Sequence, residues 1–264
     1  MIQWFSALVP WQQALLATLF TWGVTAAGAS AVFFFKNINK NVMDAMLGFA
    51  AGVMVAASFW SLLLPAADMA RTLGFSPLPV LLFGFLSGGA LLFIGDNVFS
   101  LPERKNACSG RKKRSALLIF SITLHNIPEG LCVGVAFGSL AYGLSGASLA
   151  SACLLALGIG LQNFPEGTAV SVPLRREGAS RARAFLWGQI SGAVEPAAGV
   201  LGALLVMRVR TLLPFCLAFA AGAMIYVVTA ELIPESQSGK KKDVMAFFTL
   251  VGFCVMMALD MIFS

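Results

Sequence analysis

Long apolar runs separated by short polar and basic stretches set the rhythm of this chain. Crossing a hydrocarbon core about 30 Å thick takes about 20 apolar residues in a helix. Eight runs of that order occur, at about 12–35, 43–67, 78–101, 115–140, 147–173, 184–207, 212–236 and 244–263. The pattern predicts an all-α integral membrane protein, a single domain of eight transmembrane helices over residues 1–264 with the lipid bilayer as its solvent. Composition agrees: 11% of residues are charged, against about 25% in soluble domains, which excludes an ordinary soluble enzyme. The first basic residue is Lys36, after the first run. That run therefore reads as a retained anchor and not as a cleavable signal peptide.

The loops set the orientation. With the N-terminus outside, 15 basic residues fall on the inner side (Lys36, Lys40, Arg104, Lys105, Arg111, Lys112, Lys113, Arg114, Arg175, Arg176, Arg181, Arg183, Lys240, Lys241 and Lys242) and 3 on the outer side (Arg71, Arg208 and Arg210), which together make all 18. By the positive-inside rule both termini lie on the non-cytoplasmic side, with the cell (inner) membrane as the expected location. The net charge of +6 is thus a topology signal and calls for no nucleic acid. The run Arg111–Arg114 reads either as a solvated loop or as a contact for anionic lipid or a cytoplasmic partner. The cysteines Cys108, Cys132, Cys153, Cys216 and Cys254 show no CxxC spacing and are expected to be free thiols.

Internal repetition comes next. Phe49-Ala-Ala-Gly52-Val-Met54 in the second run recurs as Phe219-Ala-Ala-Gly222-Ala-Met224 in the seventh, followed by Leu64-Pro65 and Ile233-Pro234. These two spans cross the membrane in opposite directions. Recurrence of this kind fits an inverted-topology repeat, as in many secondary transporters whose sites lie at the midplane on broken helices. It also fits small-residue packing, the reading given to the GxxxG pairs Gly84/Gly88 and Gly188/Gly192.

The chemistry lies in the fourth, fifth and sixth runs. Leu124-His125-Asn126-Ile127-Pro128-Glu129-Gly130 and Leu161-Gln162-Asn163-Phe164-Pro165-Glu166-Gly167 are two copies of [HQ]-N-x-P-E-G in mid-span. The spacing puts His125 with Glu129, and Gln162 with Glu166, on one helix face about a turn apart. Pro128 and Pro165 obstruct the carbonyls of Leu124 and Leu161, which then need another partner in hydrocarbon. Placing one ionised carboxylate at a helix centre costs about 2.5–3.5 kcal/mol. Glu129, Glu166 and Glu195 give one such group in each of three spans, with no cation in those spans deep enough to pair with all of them. A divalent cation can hold that charge. One imidazole, three carboxylates and several amide oxygens suit Zn²⁺, other first-row divalents or Cd²⁺; a Mg²⁺ or Ca²⁺ site needs no imidazole, and scattered thiols exclude a four-cysteine zinc site.

These segments, with Ser191-Gly192-Ala193-Val194-Glu195-Pro196 and Phe49–Met54, resemble the ZIP family of divalent-metal transporters over nearly the whole chain, and Gln162–Gly167 is most similar to its GufA-like branch. The resemblance implies a helical 3+2+3 bundle with an inverted repeat, a homodimer, and movement of Zn²⁺ and related ions toward the cytosol by elevator-like motion. It implies one metal site of His125, Glu129, Gln162 and Glu166, an adjoining one of Asn126, Asn163, Glu166 and Glu195 with Glu166 bridging, and Met54 either lining the pathway or packing. Two departures stand out. Gln162 replaces a common histidine, weakening the first site for zinc, and Asn163 stands where some relatives have aspartate, lowering the charge of the second. The loop before the fourth run lacks a histidine-rich stretch.

Asp96, Glu231 and Glu235 form either a cytoplasmic exit funnel or a hydrated interface, and Asp68 and Asp260 sit near the outer face. An intramembrane metalloprotease needs HExxH, which a chain with one histidine lacks, so no enzyme is expected. An ion-coupled transporter of a small organic solute uses buried carboxylates too and stays as the alternative, although it has no need for repeated one-turn ligand pairs. The orientation makes a prediction: a membrane-impermeant maleimide should label Cys108 only after cells are opened, and labelling in sealed cells would reverse the topology.

Overall fold

The computed structural model describes residues 2–35, 39–105, 111–143, 147–176 and 178–263. All regular structure among them is helical: α1 Ile2–Ser6, α2 Pro10–Ala29, α3 Ala31–Phe34, α4 Lys40–Ala57, α5 Leu64–Thr72, α6 Pro77–Lys105, α7 Arg111–Ser139, α8 Leu149–Arg176, α9 Arg181–Ile190, α10 Val194–Arg208, α11 Leu213–Val227, α12 Ile233–Ser236 and α13 Lys242–Phe263. Local chemistry explains several ends. Pro10 opens α2 where a missing N–H costs nothing. Asn39 and Ser180 cap α4 and α9 by accepting from the amides of Asn41 and Arg183. Gly74, between α5 and α6, turns with φ of 79°, in the left-handed region that favours glycine.

Among the described residues, six stretches are long and apolar enough to cross a membrane: 10–34, 40–72, 77–95, 181–208, 210–236 and 242–262. They fall on six of the eight expected runs. The other two runs correspond to α7 and α8, which have 29 and 28 residues.

The repeated Phe-Ala-Ala-Gly segments share more than sequence. Each leads into a π-helical segment, Ser58–Leu63 after α4 and Val228–Leu232 after α11, and in each case a proline follows at the second position of the next helix. A proline ring clashes with the carbonyl four residues earlier. Those carbonyls belong to Ser61 and Ala230, inside the two π segments, where the wider turn gives room.

Packing pairs α4 with α13, α6 with α11, α2 with α8 and α7 with α10. Backbones meet at glycines. A Cβ on Gly222 would collide with the Phe85 carbonyl and one on Gly88 with that of Phe219; Gly52 and Gly252 stand likewise against the carbonyls of Thr249 and Phe49. The Gly84/Gly88 spacing thus serves helix packing. At Gly188 an added Cβ would meet the Cβ atoms of Ala29 and Ser171.

Burial is inverted relative to a soluble protein. Leu78, Leu82, Phe83 and Leu86 of α6 and Phe247, Leu250, Met261 and Ile262 of α13 are exposed, whereas Thr18, Thr21, Thr25, Asn126, Glu129, Gln162, Asn163, Glu166 and Glu195 are buried. Apolar outer faces suit lipid, and the polar groups gather where the bundle can satisfy them. At one end, Lys40 Nζ bonds to Asp44 (3.1 Å) and to Ser238 Oγ (2.7 Å), while Ser236 Oγ donates to the Asp44 carbonyl (2.7 Å), tying the start of α4 to the end of α12. Cys132, Cys153, Cys216 and Cys254 are free thiols; Cys108 lies outside the described residues.

Close backbone approach makes Gly222 intolerant of a side chain. Gly222→Val should separate α11 from α6 and cost at least about 1–3 kcal/mol, read as a lower melting temperature of detergent-purified protein. Gly23→Ala, with open space around the new methyl, should leave melting unchanged.

Candidate metal centre

Three helices bring the motif residues together. α7 supplies Asn126 and Glu129, α8 supplies Gln162, Asn163 and Glu166, and α10 supplies Glu195 from its first turn. A tight turn at residues 191–193 breaks the sixth apolar run into α9 and α10, and it places Glu195 at a helix N-terminus, the end that favours negative charge. Pro196 sits in that same first turn, where the absent N–H is not missed. All six side chains are buried, and the most exposed, Glu166, has 4% of its surface accessible. The side chain of His125 lies outside the described residues.

Side-chain hydrogen bonds lock the cluster. Gln162 Nε2 donates to Glu129 Oε1 (2.6 Å), joining α8 to α7. Asn126 Nδ2 donates to the Ser191 carbonyl (2.8 Å) in the break before α10. Asn163 Nδ2 reaches both oxygens of Glu195 (2.9 and 3.0 Å) and the Thr21 carbonyl (3.3 Å). The two motifs therefore make parallel contacts: Asn126 with Ser191 and Asn163 with Thr21, while Gly130 abuts Glu195 and Gly167 abuts Thr25. In both cases the two partners are four residues apart.

What these bonds leave over is more informative. Seven buried side-chain N or O atoms lack a hydrogen-bond partner among the described residues, and six belong to this cluster: Asn126 Oδ1, Glu129 Oε2, Gln162 Oε1, Asn163 Oδ1 and both oxygens of Glu166; the seventh is Gln13 Oε1. Every one is an oxygen. A buried acceptor without a partner costs about 1–3 kcal/mol, more when charged, so six together mark a place that a cation can occupy. Among the described residues no group of three His, Cys, Asp or Glu side chains meets the geometry for holding a metal.

The remaining expected residues fall elsewhere. Met54 is fully buried within the main apolar cluster, which also contains Met224. Glu231 sits on the π segment after α11. Glu235 is exposed, and the Asp96 side chain lies outside the described residues. Asp68 pairs with Arg71 (2.7 Å) at an exposed position, and Asp260 accepts from Ser61 (3.1 Å).

Sequence reading missed the threonines of α2. Thr21 Oγ1 hydrogen-bonds to Glu195 Oε2, and Thr25 Oγ1 stands 3.4 Å from Oε1. With Thr18 they repeat at three- and four-residue spacing, so one face of the first span is hydroxyl-bearing. That periodicity was the available signal.

Comparison with known proteins matches this arrangement. A family model described as ZIP zinc transporter covers residues 100–260. The chain is 40% identical to zinc transporter ZIP11 of Homo sapiens (94% of this chain, 96% of that protein). It is 35% identical to zinc transporter GufA of Myxococcus xanthus (94% and 97%) and 36% identical to zinc transporter ZIPB of Bordetella bronchiseptica (94% and 80%). With a family match over more than half its length, relatives of this identity along nearly all of it, and polar motif residues buried in a helical membrane bundle, the chain belongs to the ZIP zinc transporter family, whose members are transporters and not enzymes.

Proposed function

We propose that this protein carries Zn²⁺, with other first-row divalents and Cd²⁺ as further candidates, toward the cytosol through a midplane site of His125, Glu129, Gln162 and Glu166. The observation that carries the reading is the cluster of six buried oxygens without partners, all on the motif residues. Amide and carboxylate oxygens with one imidazole suit a borderline divalent cation, and ligands of mixed strength let the ion leave again.

The same proposal extends to architecture. Eight spans in a 3+2+3 inverted repeat explain why Asn126 and Asn163 contact partners in matching register, and why both Phe-Ala-Ala-Gly segments precede a π segment and a proline. Both termini then face the non-cytoplasmic side. The homodimer implied by the family resemblance is part of this reading, with the exposed apolar faces of α6 and α13 open to lipid or a second copy.

Reconstituted vesicles test the site. Glu166 brings two unpartnered oxygens, so Glu166→Gln should reduce zinc flux at least about 100-fold at equal abundance; parental flux would refute the site. Metal binding requires deprotonated carboxylates, so zinc affinity should fall as pH is lowered and binding should release protons, fewer in Glu166→Gln. Gln162→His should raise zinc affinity by titration while turnover falls or stays level; unchanged affinity would remove Gln162 from the ligand set.

A further inference from the structure

Glu195 differs from Glu129 and Glu166. Both oxygens of Glu166 and one of Glu129 have no partner among the described residues, whereas neither oxygen of Glu195 is left over, although the residue is fully buried. A carboxylate has about four acceptor positions. Asn163 Nδ2 stands 2.9 and 3.0 Å from the two oxygens and shares its two protons between them and the Thr21 carbonyl, the Thr21 hydroxyl donates to Oε2, and the Thr25 hydroxyl, also 3.3 Å from the Thr21 carbonyl, lies 3.4 Å from Oε1. Thr21 also lies 3.1 Å from the Thr18 carbonyl, but the carboxylate is the stronger acceptor for its single proton. Gly192 makes this cup possible, since a Cβ there would lie 3.0 Å from both Glu195 Oε1 and Thr25 Oγ1. The N-terminus of α10 adds further compensation for the charge.

We propose that this chain holds one transported cation per subunit, because the position beside Glu195 is closed by the donors of Thr21, Thr25 and Asn163. The proposal rests on the zinc-transport reading and narrows it: Glu195 is a positioning residue and not a ligand. Asn163 links the two roles. Its amide nitrogen donates to Glu195 and the Thr21 carbonyl, and its oxygen is left buried without a partner among the described residues. An aspartate at 163 has no proton to give Glu195. It would set two carboxylates side by side with free lone pairs, and a second cation would become the favourable way to hold them. The identity of residue 163 thus decides between one ion and two.

Counting zinc on the purified full-length protein, by equilibrium dialysis at saturating zinc followed by elemental analysis, tests this without any transport assay. The parent should bind one zinc per chain. Glu195→Ala should still bind one, with affinity lowered about 10-fold to 100-fold as for lost support of a ligand, and Glu195→Gln, which keeps an acceptor for Asn163, should recover most of that loss. Asn163→Asp should bind two. Two zinc ions on the parent, falling to one in Glu195→Ala, would overturn the proposal, as would a parental single ion abolished by Glu195→Gln. The parental count needs no variant to fold. A parent that binds no zinc would overturn the transport reading itself, and this inference with it.

Discussion

Water is absent from the middle of a membrane bundle, and that absence governs the rest of this structure. A polar atom there must find a partner inside the protein or remain unsatisfied at a cost of about 1–3 kcal/mol or more. Most of the buried polar groups comply: threonines bond back to their own helix, Asn126 and Asn163 reach backbone carbonyls, and Gln162 holds Glu129. Among the described residues, six of the seven exceptions gather on the two motifs. Oxygens left without partners in such a cluster suit a compact cation that accepts lone pairs.

Holding those motifs in place requires helices closer together than side chains normally allow. Gly130 and Gly167, each immediately after its motif glutamate, bring α7 against α10 and α8 against α2. The glycines of the repeated Phe-Ala-Ala-Gly segments do the same for α4 with α13 and α11 with α6. The small residues thus serve the chemistry indirectly. Without them the carboxylates and amides of separate helices would stand too far apart to share hydrogen bonds at 2.6–3.0 Å.

Charge is handled in two ways within one cluster. Glu166 is left open on both oxygens, and Glu195 is surrounded by donors at the N-terminus of α10. A binding site for a passing ion needs the first kind of carboxylate, because a ligand already satisfied by the protein gains little from the metal. The second kind is suited to hold a neighbour's orientation. Asn163 contributes to the division by donating to Glu195.

Much was legible along the chain itself. Apolar length marked eight runs, six of which coincide with long apolar helices among the described residues, and the paired His-Asn and Gln-Asn motifs with their one-turn Glu pointed to metal chemistry, since helical periodicity puts residues four apart on one face whatever the fold. The basic loops and the recurrence of Phe49–Met54 at Phe219–Met224 were equally visible. Tertiary structure decided what periodicity cannot: which face meets which. Thr21 and Thr25 look like isolated hydroxyls in an apolar run until α2 packs against α8 and α10 and turns them onto Glu195. Glu129, Glu166 and Glu195 are indistinguishable as letters; only the donors supplied by other helices, brought close by glycine contacts distant in sequence, separate the open carboxylates from the closed one.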